Sequence, residues 1–303
     1  MKKFIVSDLH GNGEVYNSIM AYLENVSLLE EVELYINGDL IDRGLDSFEV
    51  LEDVVSRIKG KGNIKINYLA GNHELMMYQA ILDRKPGKAI RKWSNWLMNG
   101  GWFIEGAIDS LDNAEEVYEE YKKFLGNLKI YHKFEETIKD KNILLVHAKP
   151  PKVINDICDM QISDNNIDVE LAVWTRETDE YFETVEIGKK DYFTIIGHTP
   201  VTDELGFIYN PLQNVLNIDG ACAYYAFGGF KHDHVPLIEI DDGYINIIIF
   251  NHNNEIIDGY VFDGNIHKMS EKGLDKKKVF INHEFDNCRE EKQKEIKKIL
   301  EIN

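Results

Sequence analysis

The chain begins with short apolar runs separated by amphipathic stretches. Phe4–Val6, Leu34–Ile36 and Ile64–Leu69 have the length and composition of buried strands. Between them, Val15, Ile19, Tyr22, Leu23 and Val26 recur at helical spacing, as do Phe48, Val50, Leu51, Val54, Val55 and Ile58. Steps of three and four residues put each set on one helix face. Ser47 is a candidate cap for the second helix, and Gly60 and Gly62 end it. Met1 to Ala70 therefore predicts strand, helix, strand, helix, strand. Continuous apolar strands alternating with helices imply a mostly parallel sheet covered on both faces.

The pattern then changes. Residues 75–128 predict a helical insertion over the sheet, with a turn at Asn99-Gly100-Gly101 and with Trp93, Trp96 and Trp102 as core residues. Ile143–Val146 and Phe193–Ile196 predict two further strands. After Pro211, the runs Val215–Ile218, Leu237–Ile240 and Tyr244–Phe250 are split by Gly/Asp turns, as in an antiparallel sheet. From Glu284 the tail reads as a charged helix with Glu and Lys at favourable spacing. The division this predicts is one α/β domain over residues 1–265 and a charged helical extension over 266–303.

Polar clusters follow five of the apolar runs. They are Asp8-Leu9-His10, Gly38-Asp39-Leu40-Ile41-Asp42-Arg43-Gly44, Gly71-Asn72-His73-Glu74, His147-Ala148 and Gly197-His198-Thr199-Pro200. Residues two apart at a strand end point the same way, so Asp8 and His10 are placed to grip one metal ion. Asp39, at a strand tip, is the natural bridging carboxylate. Gly38 permits close backbone approach, and Gly44 permits the turn after Arg43. Arg43 offers a planar fork of donors for phosphate oxygens. Asn72 offers an amide oxygen. His73 is assigned as general acid, oriented by Asp42, because an ordinary histidine pKa near 6.5 suits proton donation around neutrality. Glu74 starts the next helix or supports the site.

A single histidine after a strand is more often structural than a ligand. His147 and His198 together, beside the earlier donors, reverse that balance. They complete a candidate ligand set of Asp8, His10, Asp39, Asn72, His147 and His198. Oxygen and imidazole donors without sulfur suit manganese first, then iron, zinc or similar ions, more than calcium. Six ligands sharing one carboxylate suit two divalent metal ions about 3.5–4 Å apart. Arg176, in Trp174-Thr175-Arg176-Glu177, is a candidate second phosphate clamp; read alone it is only a surface arginine.

Composition narrows the partners. With 303 residues, 44% of them hydrophobic, the chain can bury a sizeable core. A net charge of -19 argues against binding nucleic acid or an anionic membrane. An anionic substrate then needs a locally positive site, which two metals and a few arginines supply. Cys158, Cys222 and Cys288 are odd in number and far apart, which fits a reducing compartment and no disulfide framework or thiolate zinc site. The first apolar stretch is too short for a signal-peptide core, and no stretch approaches membrane-spanning length. A cytoplasmic protein is expected.

Taken together, the five clusters resemble the signature of the calcineurin-like metallophosphoesterases. More narrowly they are similar to the phosphoprotein phosphatase family of Ser/Thr phosphatases and its bacterial members, over roughly Met1 to Gly220. The resemblance implies a sandwich of mixed β-sheets flanked by helices, with a βαβαβ core and a binuclear metal centre on the six ligands above. It also implies phosphate contacts from Arg43 and Arg176, and an Asp42–His73 pair that handles the leaving group. There are departures. Lys149 stands where the family usually has glycine after His-Ala, and reads as a rim residue. Asp219-Gly220-Ala221 only loosely follows an Asp-(Thr)-Gly segment. Position 200 lacks the histidine of related phosphodiesterases, and Ile41-Asp42 lacks the tyrosine ligand of purple acid phosphatases. Lys231-His232-Asp233-His234 reads as a solvated loop.

The expected activity is hydrolysis of phosphomonoesters, of the Ser/Thr protein phosphatase type. A metal-bridging hydroxide would attack in line, with no covalent phosphoenzyme. The substrate would be a phosphorylated protein or a small phosphorylated metabolite or nucleotide. The alternative is a dinucleoside polyphosphate hydrolase of the diadenosine tetraphosphate type. A binding module that kept the fold and lost activity would have replaced a ligand or His73, and none is replaced.

Overall fold

The first three apolar runs pair in parallel, as their pattern requires. A computed structural model describes residues 1–60, 62–84, 91–164, 166–176, 187–225, 234–241, 243–253 and 255–278. It opens with β1 (Lys2–Val6), α1 (Gly13–Ser27), β2 (Val32–Asn37), α2 (Ser47–Ile58) and β3 (Ile64–Leu69). Phe4 lies beside Leu34, and Leu34 beside Ile66. Asn12 caps α1 by accepting from the Val15 N–H at 3.2 Å. Ser47 does not cap α2 but is its first residue, and its hydroxyl donates to the Gly44 carbonyl at 2.7 Å.

The helical insertion comprises α3 (Asn72–Asp83), α4 (Arg91–Trp96), a π-type turn at Leu97–Gly101, α5 (Trp102–Asp109) and α6 (Ala114–Gly126). It starts at Asn72 rather than 75, because the Glu74 carboxylate folds back onto the Gly71 N–H and closes the first turn. Next come β4 (Tyr131–Ile138), β5 (Lys141–Val146), α7 (Ile167–Trp174), β6 (Tyr192–Ile196), β7 (Ile208–Asn210) and β8 (Val215–Asn217). The described chain closes with α8 (Cys222–Tyr225), β9 (Val235–Ile240), β10 (Ile245–Phe250), β11 (Ile256–Phe262), β12 (Ile266–Lys268) and α9 (Glu271–Lys278). The tail helix expected from Glu284, and residues 231–233, lie outside the described residues.

The described strands form two sheets, ordered β12-β11-β10-β9-β1-β2-β3 and β4-β5-β6-β8-β7. The expected parallel pairing, covered on both faces, holds for β1–β3, but the sheet they belong to is mixed. β9 joins β1 in antiparallel, and β10, β11 and β12 continue that way. Helices cover one face of the large sheet. The other face packs on the second sheet. Alternation sorts the two faces: Phe4, Val6, Leu34 and Ile36 join the core under the helices, while Ile5 and Tyr35 join the core between the sheets. A strand buried on both faces looks the same in sequence whether its cover is a helix or another sheet, so the pattern could not tell the two arrangements apart. The unpredicted β4 is an edge strand whose polar residues leave no clean apolar run.

This sandwich matters for function because of where its parallel strands end. β1, β2 and β3 in one sheet, and β5 and β6 in the other, bring their carboxyl ends to a common edge. Ligands bind at such ends in open α/β sheets. Each of the five polar clusters occupies one of them.

Candidate metal centre

Asp39 sits between two groups of imidazoles. Its Oδ2 lies 3.6 Å from His10 Nε2 and 4.0 Å from His73 Nε2, and its Oδ1 lies 3.5 Å from His147 Nε2. Two sets of potential ligand atoms result, each within 4.8 Å of one another: His10, Asp39 and His73, and Asp39, His147 and His198. The carboxylate shared by both sets is the one expected to bridge. Asn72 is close by, its Oδ1 3.3 Å from His147 Nε2. The structure thus joins donors from both sheets that are up to 190 residues apart in the chain.

Backbone carbonyls fix which nitrogen each imidazole presents. His10 Nδ1 lies 3.1 Å from the Ile41 carbonyl and His147 Nδ1 lies 2.8 Å from the Asn37 carbonyl. With the proton on Nδ1, the Nε2 lone pair of each faces Asp39. His198 is oriented the other way. Its Nε2 donates to the Trp174 carbonyl at 3.1 Å, and its buried Nδ1 has no hydrogen-bond partner. A buried lone pair without a donor is costly unless something else fills it. That orphaned nitrogen, beside Asp39 and His147, is what a divalent ion would occupy, and the donor set fits such an ion.

Asp8 belongs to neither compact set. Its carboxylate accepts the His198 N–H at 3.1 Å and the Ser7 hydroxyl at 2.5 Å. Burial, with Asp219 close by, raises its pKa well above the ordinary carboxylate value. Asp39 is the reverse: burial opposes its charge, but His147 and His73 hold its pKa well below normal. Burial also works against charging His147, yet Asp39 and Asp8 lift it to about 10. For His198, burial together with His147 and Arg176 lowers the pKa to about 2. Cation binding to these groups is therefore linked to their protonation.

The remaining predicted residues surround this core. Asp42 is fully buried and accepts from His73 Nδ1 at 2.7 Å. A surface salt bridge between Asp42 and Arg43 is thereby excluded. Arg43 is half-buried, with Nη2 3.0 Å from His73 Nε2 and Nη1 3.4 Å from His10 Nε2. Its guanidinium also lies 5.6 Å from the Tyr224 ring centre. Arg176 is half-buried, and its charge acts on His198 and Asp219. Lys149 is half-buried next to His147-Ala148.

The backbone here is strained. Asp8, His10, Asp39, Asp42, Arg43 and His198 all have φ between +47° and +72°. Non-glycine residues rarely adopt this region, and such strain persists where the surroundings impose it. Gly71 shows the crowding: a Cβ there would come within 2.2 Å of Asp39 Oδ1.

Three contacts around the cleft add to the sequence assignments. Asp219 is buried just beyond β8, which is parallel to β6, and its pKa is pushed up to about 6, chiefly by burial. The signal was available, since Asp219 follows an apolar run as the other donors do. Glu74 does more than start α3. Its two oxygens accept from Asp39 N and Gly71 N at 2.8 Å, from Leu40 N at 3.1 Å and from the Tyr68 hydroxyl at 2.6 Å, fixing the loop that carries Asp39. Trp96, expected as core, is fully buried, but its Nε1–H donates to both Asp42 oxygens at 3.0 and 3.1 Å. Trp93 is half-buried against it, whereas Trp102 is 56% exposed and stacks on Phe103, contrary to the core reading.

The chain belongs to the calcineurin-like phosphoesterase family, whose model matches residues 1–236. It is a metal-dependent phosphoric ester hydrolase of a family that uses a binuclear divalent metal centre. Among solved structures, it is similar in fold to a putative diadenosine tetraphosphatase, with 18% identity, 78% of this chain and 87% of that chain covered, and a TM-score of 0.44. It is also similar to a cold-active protein-tyrosine phosphatase of a psychrophile Shewanella species, with 15% identity, 89% and 80% coverage, and a TM-score of 0.45. A protein serine/threonine phosphatase from Saccharomyces cerevisiae matches with 13% identity, 80% and 73% coverage, and a TM-score of 0.49. No curated protein matches the sequence. Among the described residues, no helix is long and apolar enough to cross a membrane.

Proposed function

We propose that the chain is a phosphomonoesterase of the Ser/Thr protein phosphatase type. Asp8, His10, Asp39, Asn72, His147 and His198 would hold two divalent ions, with manganese the first choice for this oxygen and imidazole set. When bound, such a pair supplies an acidified water and positive charge against the phosphoryl oxygens.

The observation that carries the proposal is the Asp42–His73–Arg43 constellation beside Asp39. Asp42 accepts from His73 Nδ1, which fixes the tautomer and turns Nε2 towards the cleft. Arg43 Nη2 lies against that nitrogen at 3.0 Å. Donation from Arg43 to phosphoryl oxygens instead would free Nε2 to carry the proton that it gives to the leaving oxygen. Arg43 and Arg176 are then the phosphate clamps and His73 the general acid. An alkoxide leaving group, as from a phosphorylated serine or threonine, needs such an acid. The free Cys158 and Cys222 fit a cytoplasmic setting for this activity.

Product-resolved assays with a phosphoserine peptide, p-nitrophenyl phosphate and diadenosine tetraphosphate test the proposal, run beside elemental analysis of the purified protein. The expected result is release of inorganic phosphate from the first two, with roughly a 10²–10⁴-fold fall in kcat on His73→Asn. Preferential cleavage of diadenosine tetraphosphate would replace this reading with that of a dinucleoside polyphosphate hydrolase.

A further inference from the structure

The helical insertion reaches into the cleft at one point, the Asp42–His73 pair. Trp96 ends α4 and is fully buried. Its one polar atom donates to Asp42 rather than to solvent or to a helix carbonyl. Asp42 therefore has a donor on each side, the indole from the insertion and the imidazole of His73. A carboxylate held from one side only can rotate about its terminal torsion, which is broad. Held from both, it presents one oxygen edge to His73.

The turn after Trp96 strengthens the link. The Arg43 N–H donates to the Gly100 carbonyl at 3.1 Å. Gly100 has φ +105°, and a Cβ there would lie 2.6 Å from the Arg43 nitrogen. Gly101 packs under the indole, where a Cβ would lie 2.3 Å from Trp96 ring atoms. Asp42 and Arg43 both have left-handed backbone, at φ +71° and +72°, and the insertion braces them from outside the sheet. Packing alone explains a buried tryptophan, but it does not explain why the indole nitrogen and the Gly100 carbonyl both meet this pair of residues.

We infer that Trp96 is a positioning residue for leaving-group protonation: its indole N–H locks the Asp42 carboxylate that orients His73, which makes the insertion part of the proton-delivery machinery. The inference rests on the reading of His73 as the acid that protonates the leaving oxygen.

The test compares wild type, Trp96→Phe and His73→Asn in the full-length, metal-loaded enzyme. Two aryl esters of similar size serve as substrates: p-nitrophenyl phosphate, with a good leaving group, and phenyl phosphate, with a poor one. Trp96→Phe keeps a ring in the core and removes the donor. It is expected to lower kcat on phenyl phosphate at least ten-fold more than on p-nitrophenyl phosphate, with KM unchanged. His73→Asn is expected to show the same bias more strongly. An equal loss on both esters with Trp96→Phe, or no loss, overturns the inference while leaving His73 as the acid if His73→Asn keeps its bias. A His73→Asn enzyme without leaving-group bias overturns the acid reading and the inference with it.

A second readout does not depend on turnover or on the fate of the Trp96→Phe variant. In 15N-labelled metal-free protein, which has four tryptophans, the Trp96 indole N–H signal is expected downfield and slow to exchange, and it should shift on Asp42→Asn. An indole signal that Asp42→Asn leaves in place removes the hydrogen bond on which the inference stands.

Discussion

Two parts of the molecule enclose perturbed histidines, and only one has the marks of chemistry. At the carboxyl ends of the parallel strands, His10, His73, His147 and His198 surround Asp39 on left-handed backbone. At the sandwich edge between β3 and β4, His132 sits between Tyr35 and Phe134, with ring centres 4.6 Å away in each case. It lines two grooves of about 540 and 660 Å³. Burial lowers the pKa of His132 to about 4, helped by Lys3. That edge has cavity volume and a perturbed histidine, yet among the described residues no group of ligand atoms close enough to hold a metal ion includes His132. Volume and a shifted pKa are therefore weak guides to function here. Convergent lone pairs, backbone strain and an orphaned ring nitrogen are stronger ones.

The sharpest way to break this contrast is to remove the shared carboxylate. Asp39→Asn is expected to reduce the bound metal from about two ions per chain and to cut phosphatase activity by about 10³-fold or more. Elemental analysis beside steady-state kinetics reads both. Two retained ions would show that Asp39 does not bridge.

Gly100→Ala tests whether the strained backbone depends on the insertion. The new methyl meets the Arg43 backbone and forces an L residue to φ +105°. A loss of up to about 3 kcal/mol is expected in urea unfolding. A raised KM for phosphoryl substrates should accompany it as Arg43 shifts. Wild-type stability and KM would mean that the turn is merely adjacent.

The smallest effect lies at the aromatic edge. The folded pKa of His132 is depressed, so the unfolded chain binds its proton first as pH falls. Stability from neutral His132 is thus fully present above about pH 6.5 and is lost progressively towards pH 4. Screening at this partly open site leaves about 1–2 kcal/mol of that dependence. His132→Phe should flatten the corresponding part of the stability–pH curve and leave kcat at pH 7 as in wild type. A fall in kcat would mean that the edge communicates with the cleft.

Much of the site was legible because each donor follows an apolar run. A strand end is readable from pattern alone, and a polar residue placed there is exposed to a common cleft whenever the strands are parallel. Asp219 obeys the same rule after Val215–Ile218, but its segment follows the family pattern only loosely. Trp96 could not be read as more than core, since a buried indole is apolar in every sequence pattern and only its partner reveals the use of its N–H. Trp102 shows the opposite error, a large aromatic that the fold leaves in solvent.

By itself, the sequence determined the parallel order of β1, β2 and β3 and the donors at their ends, because apolar periodicity and strand-end chemistry are local properties. The tertiary structure decided what those donors meet. His147 and His198 come from a second sheet packed face to face on the first, and the insertion sets Trp96 against Asp42. Such contacts depend on which buried face covers which, and hydrophobic burial, being non-directional, leaves that choice to the packing of the whole chain.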